Sequence, residues 1–366
     1  MHGVDVTIIT TPQNATVFQK SVDLDSSRGR PIRTHLVTFP AAEVGLPPGI
    51  EAFNGLAILQ PRFEQLFHDL RPDFIVTDMF HPWTVEAAAK LRIPRIMFHG
   101  ASYLARSAAH AVEQYAPHLA SAYYEHYKGV MGTKSWGIGP VSLWANQDAS
   151  DKAARGYAKE DEGEEGWLKW LNTKAERSVL YDSGKDFIWV VRKNDKGGEG
   201  EKFLEEFEER MKESKKGYLI WGWAPQLLIL ENPAIGGLVT HCGWNTVVES
   251  VNAGLPMVTW PLFAEHFFNE KLVVDVLKIG VSVGAKEWRN WNDFGGEIVK
   301  AEDIGNAIGV MMSEKGEDMR RRSKTLSGAA KKAIEDGGSS HNNLNELIRE
   351  LNQIKLSKAQ ETAPNP

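Results

Sequence analysis

A single cysteine, Cys242, excludes an internal disulfide framework and a cysteine-rich zinc site. One thiol and no bridge suit a reducing compartment, so a cytoplasmic location is expected. No stretch reaches the ~18 consecutive apolar residues of a membrane-spanning helix. Met1-His2-Gly3-Val4-Asp5 has no basic region followed by a long apolar one, so no secretory signal is expected either. Positive charge is not in excess: 42 Lys and Arg against 48 Asp and Glu leave a net charge of −6, which argues against nucleic acid as a partner. No Gly-x-Gly-x-x-Gly follows any predicted strand, which speaks against a dinucleotide dehydrogenase. No His-Glu-x-x-His or paired-cysteine pattern provides for a metal. Tryptophan, by contrast, is plentiful: 12 residues of a type that stacks on flat rings and sugar faces as well as filling cores. The 366 residues are enough for about two domains, and 42% apolar with 25% charged residues is the composition of a globular protein.

Strand and helix signals alternate along the chain. β-branched strands are predicted at 4–12, 34–40, 74–78 and 93–98, with helices at 14–22, 53–70 and 82–91. A second series has strands at 187–191, 217–223, 235–240 and 257–260. Its helices are at 202–214, from Trp244, and at 299–312, 319–336 and 339–353. Alternation of this kind indicates α/β layers with parallel sheets. The charged run Glu160-Asp161-Glu162-Gly163-Glu164-Glu165 reads as solvated chain, and the linker is placed there. The expected domains are 1–150, a linker at 151–178, a second domain at 179–353 and a mobile tail at 354–366.

The residues suited to chemistry are densest between Trp223 and His266. Trp223-Ala224-Pro225-Gln226 follows one strand, His241-Cys242-Gly243-Trp244-Asn245-Thr246 follows another, and Glu249 lies a turn further on. Pro261-Leu262-Phe263-Ala264-Glu265-His266 follows a third. The carboxyl ends of parallel strands are where α/β sheets bind ligands. A helix starting near Trp244 offers unpaired N–H groups and a positive dipole end to a phosphate. Gly243 permits a tight turn into it, while His241, Asn245 and Thr246 add side-chain donors. Trp223 offers a flat face to a base ring, Glu249 an acceptor to a ribose diol, and Glu265 with His266 polar groups to a sugar. Taken singly, each residue is as well explained by core packing or a turn; their order and spacing together describe a nucleotide-sugar site.

This stretch resembles the signature box of plant family-1 UDP-dependent glycosyltransferases. The match lies in Trp223, Pro225, Gln226, His241, Gly243, Trp244, Asn245, Glu249, Gly254, Pro256, Pro261 and Glu265. Similarity extends outside the box, and the triterpenoid (saponin) branch is the most similar. The resemblance implies two facing Rossmann-like domains of the GT-B type, the first holding the acceptor and the second the UDP-sugar. It implies inversion at the anomeric carbon with no metal or other cofactor, and a monomer whose partners are a UDP-sugar and a small-molecule acceptor. By the same resemblance Trp223 stacks on uracil, with the Ala224 backbone and Gln226 at the base and ribose. Glu249 holds the ribose, while His241, Asn245 and Thr246 bind the diphosphate beside Gly243. Trp244, Glu265 and His266 face the sugar. Histidine rather than glutamine at position 266 is associated with galactosyl transfer, and Asp78 matches the aspartate that orients the catalytic base.

The chain also departs from that pattern. The family's first strand, Gly-His loop and helix have no counterpart before Val4, so the base histidine is absent and the N-terminal domain is expected to be incomplete. Tyr181 runs through 182–186 directly into Phe187, without the family's Ser-containing strand end and helix, and a third shortening falls near Leu119. A truncated or exon-skipped product of a transferase gene is expected. Two functional readings follow: a UDP-hexose transferase, possessing a donor box but poor in turnover, and a non-catalytic UDP-sugar or small-molecule binding protein derived from one.

Overall fold

The computed structural model describes residues 4–45, 58–114, 134–145, 152, 164–181, 186–191, 199–288 and 298–361. Packing divides the chain into two α/β units, one of residues Met1–Gly100 with Asn342–Pro366, the other of Ala101–His341. The first boundary therefore falls at Gly100, not at 150 as expected. Only residue 152 and residues 164–178 of the expected linker are described. Within them Trp167 and Leu171 are buried in the core of the second unit, so this part is scaffold and not a tether.

In the first unit, β1 (Val6–Thr10), α1 (Pro12–Ser27) and β2 (Ile32–Leu36) form one β–α–β turn, with Val6 opposite Ile32 in parallel register. Pro12 starts α1, where the missing N–H has no partner to lose. The second strand begins two residues earlier than its β-branched run suggested, because Ile32 and Arg33 are needed opposite Val6 and Thr7. After α2 (Gln60–Leu70), β3 (Ile75–Thr77), α3 (Thr84–Lys90) and β4 (Arg95–Met97) repeat the turn, with β3 and β4 again parallel. Residues 51–57, at the start of the helix expected over 53–70, lie outside the described residues.

These four strands do not join into one sheet: β1–β2 and β3–β4 are separate two-stranded pairs. Phe63 of α2 packs in both of the unit's apolar clusters, as does Ile9 of β1, so one helix backs both pairs. The Val6 N–H donates to the Pro31 carbonyl and the Val37 N–H to Thr10, each at 2.8 Å. Even-numbered residues of β1 thus face β2, and the backbone groups of Thr7 and Ile9 point to the open edge. By the same logic Ile75 and Thr77 bond across to β4, leaving Val76 on an open edge. The exposure of Leu36, Val76, Met97 and Phe98 fits this incomplete covering.

The second unit is better filled. It starts with α4 (Tyr103–Gln114), α5 (Val141–Ala145) and α6 (Glu164–Leu171). It continues through β5 (Val179–Tyr181), β6 (Asp186–Val191), α7 (Glu199–Ser214), β7 (Gly217–Trp221) and α8 (Gln226–Leu230). Then come β8 (Ile235–Thr240), α9 (Trp244–Ala253), β9 (Met257–Thr259), α10 (His266–Lys271), β10 (Gly280–Ser282), α11 (Ala301–Met311) and α12 (Glu314–Ile334). The six strands make one parallel sheet in the order β10-β9-β8-β5-β6-β7. Val179 and Leu180 of β5 are fully buried and belong to different apolar clusters, as a strand covered on both faces requires. Only four residues separate Tyr181 from Asp186, whereas a crossover between parallel neighbours ordinarily takes a dozen or more.

The last helix, α13 (Ser339–Glu361), runs past Gln353. Residues 354–361, expected as tail, are held because Lys355 pairs with Asp73 at 2.8 Å and the Lys358 ammonium donates to the Arg92 carbonyl. Residues 362–366 lie outside the described residues.

Open edges and thin covering lower the cost of local opening. The amides of Thr7, Ile9 and Val76 should therefore exchange with deuterium on the order of tenfold or more faster than those of Leu238 and Val258 in the central sheet. Equal protection of the two sets, measured by exchange at a common pH, would show that the first unit's sheet is closed in solution.

Candidate functional site

The second unit brings most of the box residues to the carboxyl ends of β7, β8 and β9. Trp223 follows β7 through Gly222, which has φ +88°, and remains 47% exposed, unlike a core tryptophan. Ala224 and Pro225 behind it are buried, and Gln226 begins α8. Gln226 donates through Nε2 to the Glu249 carboxylate at 2.6 Å. That bond ties the loop after β7 to the helix after β8, although β5 and β6 lie between those strands in the sheet. Glu249 is 5% exposed and sits on the inner side of α9, so its carboxylate is held in place by Gln226.

Between Thr240 and Trp244 the chain turns sharply. The turn is made at Cys242, with φ +67°, while Gly243 has an ordinary φ of −58°. Gly243 is thus not the conformational hinge that the sequence suggested. A Cβ there would sit 2.5 Å from His241 Nε2, so glycine leaves room for the histidine ring to fold back over the turn, and a larger residue would displace that exposed ring. The Cys242 N–H donates to Thr240 Oγ1 at 3.0 Å, and its carbonyl accepts from Asn269 Nδ2 at 2.9 Å. α9 then starts with no side-chain cap, so its first-turn N–H groups at Trp244, Asn245 and Thr246 have no acceptor within the helix. Asn245 is exposed beside them, Trp244 and Thr246 half-buried, and His241 exposed.

The third arm follows β9. Glu265 precedes α10, and His266 is its first residue, 4% exposed. His266 packs edge-on to His241, with ring centroids 4.7 Å apart, and against Phe263 at 4.7 Å. The Phe263 N–H donates to His266 Nδ1 at 3.3 Å, which places the ring proton on Nε2. Burial, helped by the neighbouring His241, lowers the His266 pKa to about 4, so the ring is neutral at physiological pH. Ala264, at φ +50°, is held by the exposed Trp288, whose indole N–H donates to its carbonyl at 3.0 Å. Behind this arm burial pushes the Cys242 thiol and the Glu270 carboxyl upward. Trp288 and Asn269 lie beyond the box and were not anticipated from sequence; no local pattern marks them.

Asp78 belongs to the first unit, where it follows β3. Its Oδ1 accepts from the Phe80 N–H at 2.7 Å and lies 4.0 Å from His81 Nε2. His81 Nδ1 is buried without a partner, so this pair does not present one nitrogen to the aspartate and the other to an incoming hydroxyl.

A family model described as UDP-glucoronosyl and UDP-glucosyl transferase matches residues 182–289, the span that carries all three arms. The chain is 66% identical to soyasapogenol B glucuronide galactosyltransferase of Glycine max, with 100% of the chain and 94% of that protein covered. The alignment occupies 464 positions against the chain's 366 residues, so the relative has internal segments that this chain lacks. UDP-glucosyl transferase 73CC6 of Saponaria officinalis is 37% identical, over 99% of the chain and 94% of that protein. The crystal structure of Glycyrrhiza uralensis UGT73P12, complexed with glycyrrhetinic acid 3-O-monoglucuronide, superimposes with a TM-score of 0.91 at 49% identity. That match covers 99% of this chain and 92% of the other. An α/β fold of the GT-B type, a parallel sheet ending in the three arms and relatives matched over more than nine-tenths of their length establish that the chain belongs to the plant family-1 UDP-glycosyltransferases.

Proposed function

We propose that the site holds UDP-galactose and that the reaction it serves moves galactose, with inversion, to a hydroxyl of a triterpenoid saponin, without a metal. The observation that carries the donor assignment is the convergence of an exposed Trp223, the Gln226–Glu249 pair and the uncapped start of α9. A uracil ring on Trp223, a ribose diol on Glu249 and a diphosphate on the N–H groups of Trp244 to Thr246 match these groups in chemistry. The helix start and the donors of His241, Asn245 and Thr246 offset the diphosphate charge, the task a metal performs elsewhere. Galactose is favoured because a neutral His266, with its proton on Nε2, can donate to the 4-hydroxyl by which galactose and glucose differ. The saponin acceptor rests on the names of the Glycine max and Glycyrrhiza uralensis relatives. The single cysteine supports a cytoplasmic location, and the family resemblance supports a monomer.

A second reading, UDP-sugar binding with little turnover, is favoured by the Asp78–His81 geometry, in which Nδ1 is buried and Nε2 is the nitrogen nearest the carboxylate, at 4.0 Å. A positioned base contributes about 10²–10⁴-fold.

Three measurements test these proposals. Trp223→Ala removes a stacking face of the order of 1 kcal/mol, so UDP affinity by calorimetry should fall severalfold; an unchanged affinity would remove Trp223 from the site. Transfer of radiolabelled galactose by the purified chain should be about 10²–10⁴-fold slower than by the intact Glycine max relative. A rate equal to the relative's would mean that a base is present. His266 also links stability to pH. The unfolded ring takes up a proton near 6.5, whereas the folded ring refuses it until about 4, so stability should fall as pH drops through that window. His266→Gln should flatten this decline in thermal melts between pH 7 and pH 4, and an identical decline in the variant would rule His266 out as its source.

A further inference from the structure

We propose that Asn269, acting with Thr240, is the positioning residue of the donor loop, holding Cys242 in the left-handed turn that aims the start of α9. The inference rests on the reading of that helix start as the diphosphate site. Cys242 is a non-glycine residue at φ +67°, a strained conformation that persists only when its surroundings impose it. Both of its backbone polar groups are held by side chains: the N–H by Thr240 Oγ1 and the carbonyl by Asn269 Nδ2. Cys242 and Asn269 are both fully buried, so neither bond has water as a ready substitute.

The Asn269 carboxamide is itself fixed. Its Oδ1 accepts from Ser102 Oγ at 2.9 Å, and Ser102 Oγ in turn accepts from the Ala105 N–H at 3.0 Å, closing the start of α4. Ser102 supplies the hydroxyl and Cys242 the carbonyl, so only one orientation of the carboxamide satisfies both. The chain of bonds runs from α4 through α10 to the turn before α9, within one unit. Asn269 touches none of the groups assigned to the nucleotide; it sets where His241 and the first-turn N–H groups of α9 point. Loss of the Cys242 bond should therefore weaken the grip on the diphosphate and spare the uracil and ribose contacts, which depend on Trp223 and the Gln226–Glu249 pair.

The test compares UDP, by calorimetry, with uridine, by ligand-observed NMR, on the full chain. In Asn269→Asp a carboxylate oxygen replaces the donor and faces the Cys242 carbonyl. UDP affinity should fall roughly tenfold while uridine affinity stays within about twofold. Thr240→Val loosens the same turn from its other side and should show the same selective loss; it carries the test if Asn269→Asp does not fold. Ser102→Ala frees the carboxamide from α4 but keeps its donor to Cys242, so it should lower UDP affinity by less than Asn269→Asp does and likewise spare uridine. Parallel losses of UDP and uridine, or unchanged UDP affinity in both turn variants, would overturn the positioning role. If the unmodified chain binds uridine but gains nothing from the diphosphate, the diphosphate reading falls and this inference with it.

Discussion

The site depends on the way β8 is allowed to end. Leu238 and Thr240 are buried in the central sheet, and the chain that leaves it is turned by Cys242 in a left-handed conformation. That one backbone angle sends His241 outward and directs the chain into α9 with its first N–H groups uncapped. Glycine at 243 leaves the His241 ring its place over the turn. The strain is borne by Thr240 and Asn269, side chains 29 positions apart that both hydrogen-bond to Cys242.

Among the described residues, most buried polar groups around this turn have partners. Gln226 satisfies Glu249, the Phe263 N–H satisfies His266, and Ser102 satisfies Asn269. Each buried polar atom left without a partner would cost more than its bond contributes. The network therefore restricts the loops to one arrangement, and a rigid arrangement is what recognition of a nucleotide sugar needs. Glu270 is the exception: one of its oxygens is buried with no partner, and burial raises its pKa toward the protonated form.

The two units differ in how far their sheets are completed. In the second, six parallel strands bury residues such as Leu180, Ile188 and Leu238 entirely. In the first, two pairs of strands share a helix without bonding to each other, and apolar side chains on β2, β3 and β4 remain exposed. Despite the shortness of the chain between Tyr181 and Asp186, β5 and β6 pair in parallel in the second unit, and β5 also pairs with β8.

Local pattern by itself determined much of this protein. β-branched runs marked β1, β6 and β8, and the order of residues from Trp223 to His266 identified the donor box, because such signals depend only on neighbours in the chain. The three-residue strands β5 and β10 escaped notice, since Val179-Leu180-Tyr181 and Gly280-Val281-Ser282 are too short for any period to show. Gly243 was assigned the wrong task, because whether a glycine provides a positive φ or room for a neighbour's ring is a matter of coordinates. The Asn269 link to Cys242, the burial of Trp167 and Leu171, and the separation of β1–β2 from β3–β4 were decided only by tertiary structure. Each joins or parts residues distant in sequence, and contacts of that kind are fixed by which surfaces the packed elements leave to be covered.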